Sequence, residues 1–257
     1  MSIAATDLSG TLSATQWLAS PAGQYVIARE QAYFDGAVAD IFGYHALQLG
    51  LEQVDLLQAS RIPLRVTVGT RGMVGLRADF RDLPIESNSV DLMVLPHTLE
   101  FSEHPHQVVR EVARVLLPEG HVITAGFNPL SLWGLRRGLG AHREFPWSGH
   151  FIHLPRVKDW FALVGLEIVA GAMKCYAPPC TEQKWLDRFK FMEDAGDRWW
   201  PIAGGVYFLQ AIKRVRGIRL IMPKWSDRAA PKKNLAPVAV PERVRDEEGA
   251  AARTRVQ

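Results

Sequence analysis

The chain has 257 residues, of which 47% are hydrophobic, so it is long enough and apolar enough to bury the core of one α/β domain. Its formal net charge is +3, from 30 Lys and Arg against 27 Asp and Glu. Residues 223–257 hold eight basic and five acidic side chains, which leaves residues 1–222 neutral by count. The composition therefore predicts a folded domain over residues 1–222 and a disordered basic tail, and the neutral charge count of the body argues against nucleic-acid binding without excluding it.

Targeting and redox signals are sparse. The first 28 residues contain no Lys or Arg, and no apolar run is long enough for a signal-peptide core or a membrane span. The sequence therefore predicts a cytoplasmic protein that does not enter a membrane. Cys175 and Cys180 are the two cysteines, and a single pair supplies too few ligands for zinc, so we expect buried free thiols.

Residues 1–43 are predicted to be helical. Ser13 begins a capping-box pattern, and Ser20-Pro21 is typical of a helix start with proline in the first turn. The apolar spacing that follows predicts an amphipathic helix that ends near Gly43. Such a helix either covers a ligand cleft or only shields a sheet edge, and both interpretations stay open.

The next segment predicts a parallel βαβ unit. A strand over residues 45–51 is followed by a helical pattern over residues 52–59 and a second strand over residues 61–69. A third strand is predicted over residues 73–80.

The clearest alternation lies between residues 76 and 127. A strand is predicted over Val90 to Leu95, a helix begins at Pro105, and a strand follows over His121 to Phe127. Residues 128–153 interrupt the alternation with tryptophans, glycines and basic side chains. Because insertions after a parallel strand often lie over the binding crevice, this segment is a candidate lid, with a solvated surface loop as the alternative.

The remaining predicted elements complete the α/β pattern. They are a helix over residues 155–164, a strand over 166–176, a helix over 181–197 and a strand over 205–213.

Six short motifs follow one another from the third strand to the fifth. They are Asp79, LPI at residues 83–85, SVDLMVL at 89–95, LEF at 99–101, EVARVL at 111–116 and PEG at 118–120. In this order and spacing they resemble the class I S-adenosylmethionine-dependent methyltransferases, specifically the methyltransferase type 11 group. The resemblance covers roughly residues 40–213. It implies a Rossmann-like α/β fold with a mostly parallel seven-stranded sheet flanked by helices.

The resemblance also implies a cofactor site for S-adenosylmethionine. Asp79 is expected to accept a hydrogen bond from the adenine amino group, the Phe80 amide to reach a ring nitrogen, and Leu83 to pack on the adenine face. Gln48 and Gly50 occupy the glycine-rich loop after the first strand, and Pro96 follows the fourth.

The chain departs from the family pattern at two places. The loop after the first strand has one glycine, Gly50, where the family usually has three. The second strand ends in Gly69-Thr70, where the family has an acid that binds the ribose hydroxyls. The loss of a charge-assisted hydrogen bond would weaken cofactor binding by about tenfold to a hundredfold.

His97 and Glu100 are the candidate catalytic residues. In the family this turn lies beside the transferred methyl group, so His97 is expected to orient a substrate or to take its proton. A histidine that is hydrogen-bonded within the turn is the structural alternative. Glu100 matches the Leu-Glu of the family, and Phe101 replaces the usual histidine after it.

Three functions remain open from the sequence. The first is a methyltransferase with an unknown acceptor, and the second is a methyltransferase-like interaction partner that binds the cofactor weakly or not at all. The third and weakest is nucleic-acid contact through Arg136, Arg137, Arg143 and the basic tail. The sequence identifies neither the acceptor nor the oligomeric state.

Overall fold

A computed structural model describes residues 14–72, 74–140 and 144–215. Ser13, Arg143 and the basic tail, to which the sequence assigned roles, lie outside the described residues. Residues 14–19 are helical, and helix α1 spans Pro21–Ala39. Ser20 caps α1 as predicted, because its hydroxyl accepts a hydrogen bond from the Gly23 N–H at 3.1 Å.

Seven strands of the described chain form one sheet. The strands are β1 (His45–Leu49), β2 (Leu64–Gly69), β3 (Leu76–Arg77), β4 (Val90–Pro96), β5 (Leu116–Phe127), β6 (Leu166–Lys174) and β7 (Val206–Lys213). Their order in the sheet is β3-β2-β1-β4-β5-β7-β6. The pairs from β3 to β5 are parallel, and β7 is antiparallel to both β5 and β6. The expected Rossmann-like, mostly parallel sheet is therefore confirmed, with an antiparallel edge.

Five further helices lie between the later strands. They are α2 (Pro105–Val115), α3 (Leu132–Leu139), α4 (Leu154–Leu163), α5 (Gln183–Arg188) and α6 (Phe191–Trp199). The sequence predicted a single helix over residues 181–197, but the structure has two helices there. Helix α5 ends at Arg188, and α6 begins at Phe191. None of the helices in the described ranges has the length and apolar character that a membrane span requires.

Strand β4 lies in the middle of the sheet, and its side chains pack into the hydrophobic core on both faces. Leu92 and Val94 pack toward α1 with Phe34, whereas Met93 and Leu95 pack toward α2 and α4. A central parallel strand is covered on both faces, so both sets of alternating side chains are apolar. The continuous apolar run at 92–95 is the sequence signature of that position.

The helix predicted over residues 52–59 is absent, and the segment forms turns instead. The buried side chain of Gln48 accounts for this difference. Its amide nitrogen donates to the carbonyl oxygens of Gly50, Leu51 and Val54 at 3.2, 3.1 and 2.7 Å. Its amide oxygen accepts from the Leu56 N–H at 2.9 Å. These bonds supply the loop backbone with partners that a helix would otherwise have provided.

Strand β3 is also shorter than predicted, and the link between β2 and β3 is longer. The strand expected over residues 73–80 is reduced to Leu76–Arg77, which pairs in parallel with Val68 and Gly69. Gly72 lies in this link with φ of +80°, a left-handed conformation that glycine adopts without steric cost. The β1–β2–β3 edge is therefore built from turns rather than from crossover helices.

Substitution of Gln48 tests this account of the loop. Gln48→Leu keeps a similar volume but leaves the buried Leu56 N–H and the carbonyls of Gly50 and Val54 without the Gln48 amide as partner, while the Leu51 carbonyl keeps its bond from the Val54 N–H. We expect the free energy of unfolding, measured with urea, to fall by about 2–4 kcal/mol. The exposed Gln58, whose amide contacts Asp35, is the control, and Gln58→Leu should change stability by less than about 0.5 kcal/mol. Equal effects of the two substitutions would contradict the proposed role of the Gln48 amide.

Candidate functional site

A cleft of about 900 Å³ lies at the carboxyl ends of strands β1 to β4. Parallel strands end at the same edge of a sheet, which is where α/β proteins commonly bind ligands. The lining includes five of the eight residues that the sequence proposed for the site, namely Gly50, Asp79, Phe80, Pro96 and His97. Gln48, Leu83 and Glu100 are not among the lining residues.

Gly50 is the first residue of the loop after β1. Its φ is +80°, and its N–H donates to the Val68 carbonyl at 2.9 Å, which ties the loop to the neighbouring strand. A Cβ at this position would lie 3.5 Å from the Thr98 hydroxyl, so the backbone comes close to the turn after β4. Gln48 lies beneath the loop and uses its amide to hold it, so it supports the cleft without lining it.

Glu52 brings a carboxylate to the end of β2. A side chain at position 69 would overlap the Glu52 carboxylate, and a Cβ on Gly72 would lie 3.0 Å from Glu52 Oε2. Burial raises the pKa of Glu52, and the positive charge of Arg77 opposes that rise. A side chain at position 69 would therefore require the Glu52 carboxylate to move from its place over the end of β2.

Asp79 and Phe80 follow β3 and line the cleft. Arg81 pairs with Asp79 through its Nε at 3.0 Å and its Nη2 at 2.6 Å, and these hydrogen bonds lower the pKa of the Asp79 carboxyl. Leu83 is only 2% exposed and belongs to the apolar core, where its N–H donates to Glu111 at 2.8 Å. The structure thus places Leu83 in the core rather than in the cleft.

His97 follows β4 and is held between two carboxylates. Its Nε2 lies 2.6 Å from Glu30 Oε1, and its Nδ1 lies 2.7 Å from Glu100 Oε2. The other oxygen of Glu100 accepts a hydrogen bond from the Phe127 N–H, and the Phe127 ring stacks on the imidazole at 4.2 Å. Both ring nitrogens are therefore engaged, which leaves neither of them free to accept a proton from a substrate in this conformation.

The two carboxylates determine the protonation of His97. Burial alone lowers the pKa of the imidazole, but the charges of Glu30 and Glu100 and the hydrogen bonds with them outweigh burial and raise the pKa to about 10. Burial raises the pKa of Glu100, whereas His97 opposes that rise. Mutual stabilisation of this kind is what allows three ionisable groups to remain buried together.

Glu30 was not predicted from the sequence. It lies on α1 and is 1% exposed, between the buried residues Val26 and Phe34 at four-residue spacing. A charged side chain at a core position of an amphipathic helix is itself a signal, because isolated carboxylates are rarely buried without a partner. That spacing was visible in the sequence, whereas the identity of the partner was not.

The predicted lid, residues 128–153, contributes to the cleft through Phe145 and Ser148. The ring of Phe145 stacks on Phe101 with a centroid distance of 4.9 Å. Helix α3 belongs to the same segment and is anchored by Trp133, which is fully buried and donates from Nε1 to the Ala177 carbonyl at 2.9 Å. Part of the segment is therefore core and part borders the cleft.

The arginines that were considered for nucleic-acid contact make bonds within the fold. Arg136 donates to the Pro179 carbonyl and lies over the Trp147 ring. Arg137 donates to the carbonyls of Trp147 and Gly149 at 3.2 and 2.8 Å. Both guanidinium groups thus serve the packing of the segment that borders the cleft.

The cysteines and acidic groups show no metal site in the described ranges. Cys175 is a buried free thiol, as predicted, and Cys180 is a half-buried one. Within the same ranges, no three His, Cys, Asp or Glu side chains converge in a way that could hold a metal ion.

Comparisons with known proteins agree with this fold. Residues 36–124 match a family model described as a methyltransferase domain. The chain is 34% identical over 132 residues to the uncharacterized protein YafS of Escherichia coli (strain K12), a match that covers 50% of this chain and 55% of YafS. It is 29% identical over 126 residues to the biotin biosynthesis bifunctional protein BioHC of Teredinibacter turnerae, covering 49% of this chain and 22% of BioHC.

A solved structure shows the same architecture. It is an S-adenosylmethionine-dependent methyltransferase from Thermotoga maritima, described as a possible histamine N-methyltransferase, with a TM-score of 0.56 and 14% identity. The alignment covers 78% of this chain and 94% of that one.

The chain therefore has the class I S-adenosylmethionine-dependent methyltransferase fold. Its residues 36–124 are the part that matches the methyltransferase family model. The chain spans about half the length of YafS and about a fifth of the length of BioHC.

The pKa of His97 gives a prediction about stability. Its folded value is raised above the ordinary value of 6.5, so its contribution is complete below pH 6.5 and is lost as the pH rises toward 10. The stability difference between the natural chain and His97→Gln, measured with urea, should therefore shrink by about 1 kcal/mol or more between pH 6.5 and 9.

His121 provides the opposite case. Burial lowers its pKa, so its linked contribution rises with pH only up to about 6.5 and is constant above that value. The stability difference between the natural chain and His121→Gln should stay level between pH 6.5 and 9. A level difference for His97→Gln as well would contradict the charged state assigned to His97.

Proposed function

We propose that the protein is a methyltransferase that uses S-adenosylmethionine and binds it in the cleft at the ends of β1 to β4. The observation that carries the proposal is the position of Glu52 over Gly69. In the family an acid at the end of the second strand binds the ribose hydroxyls, and this chain lacks an acid there. Glu52 brings a carboxylate to the same strand end from the loop after β1.

The residues of the cleft fit the polar groups of the cofactor. Glu52 offers carboxylate oxygens that can accept hydrogen bonds from two hydroxyl groups, and Asp79 offers an acceptor for an amino group. Phe80 supplies an aromatic surface beside Asp79. Gly50 lets the loop backbone approach a ligand closely because it has no side chain. Gln48 fixes this loop from below, which lowers the entropic cost of ordering it around a ligand.

When bound, S-adenosylmethionine supplies a methyl group on a positively charged sulfur, which is already activated for transfer. The protein then has to hold a nucleophile in line with that methyl and exclude water. Phe101 and Phe145 form an aromatic wall at the cleft that could hold a planar or apolar acceptor. His97 fixes the turn after β4 through its two carboxylate contacts, so we assign it and Glu100 a positioning role.

A second candidate function is supported by the ion pair of Asp79 with Arg81. Because the Asp79 carboxylate is already engaged by a guanidinium group, cofactor binding requires that this pair be shared or opened. A methyltransferase-like protein that binds a partner and has lost tight cofactor binding would retain such a pair. Direct binding measurements separate the two candidates.

Titration calorimetry with S-adenosylmethionine and S-adenosylhomocysteine is the test of the first candidate. We expect both ligands to bind, and Glu52→Gln to weaken both by about tenfold, because a charge-assisted hydrogen bond becomes a neutral one. Glu86→Gln removes an exposed carboxylate outside the cleft and should leave both affinities unchanged. Absence of heat and of a thermal shift at millimolar ligand would favour the second candidate.

Asp79→Ala tests the adenine end of the proposed site. We expect it to weaken both ligands by about tenfold or more, because the variant removes the acceptor for the amino group. The same affinity as the natural chain would show that the adenine binds elsewhere in the cleft.

A further inference from the structure

Glu30, His97 and Glu100 form a cluster of three ionisable side chains beneath the cleft. Their exposed fractions are 1%, 4% and 1%, so water scarcely reaches them. The two hydrogen bonds in the cluster, His97 Nε2 to Glu30 and His97 Nδ1 to Glu100, are 2.6 and 2.7 Å long. Among these three residues, only His97 is part of the cleft lining. The cluster therefore meets the cleft through the imidazole.

The net charge of this cluster follows from counting protons. Each of the two hydrogen bonds contains one proton, which lies either on the imidazole nitrogen or on the carboxylate oxygen. With these two protons alone, an imidazole and two carboxylates carry one net negative charge, whichever side of each bond the protons occupy. The second oxygen of Glu100 accepts from the Phe127 N–H and so carries no additional proton.

Among the residues that the structure describes, no Lys or Arg forms an ion pair with Glu30 or Glu100. Arg29 precedes Glu30 on α1, but its guanidinium pairs with Glu193 at 3.2 Å. Phe127 contributes an uncharged N–H and an aromatic ring that stacks on His97. A charge surrounded by apolar groups is screened much less than one at the surface, so its field reaches the cleft.

We propose that the Glu30–His97–Glu100 cluster makes the cleft floor selective for a cationic occupant, and that Glu30 is a specificity-determining residue. The inference rests on the proposed function and deepens it. S-adenosylmethionine carries a sulfonium charge, whereas its product S-adenosylhomocysteine is neutral at sulfur. The cluster therefore favours the charged cofactor over the neutral product, which promotes exchange after each transfer.

Comparison of these two ligands isolates the effect of the cluster. They share the adenine, the ribose and the amino acid group, so contacts with Glu52 and Asp79 affect both alike. They differ in one methyl group and one positive charge. The ratio of their dissociation constants therefore reports how the cleft responds to charge near the sulfur.

Titration calorimetry on the natural chain is the first arm of the test. We expect S-adenosylmethionine to bind about tenfold more tightly than S-adenosylhomocysteine. Sinefungin, in which a carbon bearing an ammonium group replaces the methyl-bearing sulfonium, should bind with an affinity close to that of S-adenosylmethionine. Equal or tighter binding of S-adenosylhomocysteine would overturn the proposal without requiring any variant.

Glu30→Gln is the second arm, because glutamine can still accept the hydrogen bond from His97 while it removes one negative charge. We expect the affinity ratio to fall to nearly one, with S-adenosylmethionine weakened and S-adenosylhomocysteine almost unchanged. Glu193→Gln is the matched control, because Glu193 contacts α1 through Tyr25 and Arg29 and does not line the cleft. That variant should keep the ratio of the natural chain.

The outcomes separate this inference from the proposed function. If neither ligand binds the natural chain, the proposed function fails and the inference fails with it. If both bind and Glu30→Gln keeps the ratio while remaining folded by circular dichroism, the proposed function stands and the inference is wrong. If both Glu→Gln variants lower the ratio alike, the effect belongs to the anchoring of α1, and the inference is likewise wrong.

Discussion

The architecture around the cleft depends on the buried contacts of His97 with Glu30 and Glu100. Two carboxylates remain in the interior because one imidazole bonds to both, and removal of the imidazole would leave two buried carboxylates without that partner. The three residues come from α1 and the turn after β4, and Glu100 also holds the end of β5 through the Phe127 N–H. The helix that precedes the sheet is therefore fixed to the strand ends that border the cleft.

On the opposite side of the cleft, the neutral side chain of Gln48 holds the loop after β1 in place. The Gln48 amide satisfies four backbone groups of the loop after β1, and this loop places Glu52 over Gly69. Short links replace crossover helices along this edge of the sheet. A loop that has lost two of the usual glycines can thus still present a carboxylate at the end of β2. The family pattern is altered in sequence, while a polar group of the same kind remains in the cleft.

Much of the fold was predictable because its strongest signals are local. The strand at Val90 and the helix at Pro105 begin where they were predicted, since apolar periodicity and proline punctuation determine them. Strand β5 ends at Phe127 as predicted but begins at Leu116, five residues before the predicted His121. The helix predicted at residues 52–59 was wrong because side-chain bonds from Gln48 override local propensity. The contacts of Glu52 with Gly69 and of Glu30 with His97 join distant parts of the chain, so a single sequence does not reveal them.

The central claim is that the cleft at the ends of β1 to β4 is a cofactor site in which Glu52 takes the role of the missing strand-end acid. A crystal structure of the chain with S-adenosylhomocysteine tests this most directly. The account predicts both ribose hydroxyls within hydrogen-bond distance of the Glu52 carboxylate, about 2.5–3.0 Å between oxygen atoms. A ribose bound away from Glu52, or a ligand bound outside this cleft, would contradict it.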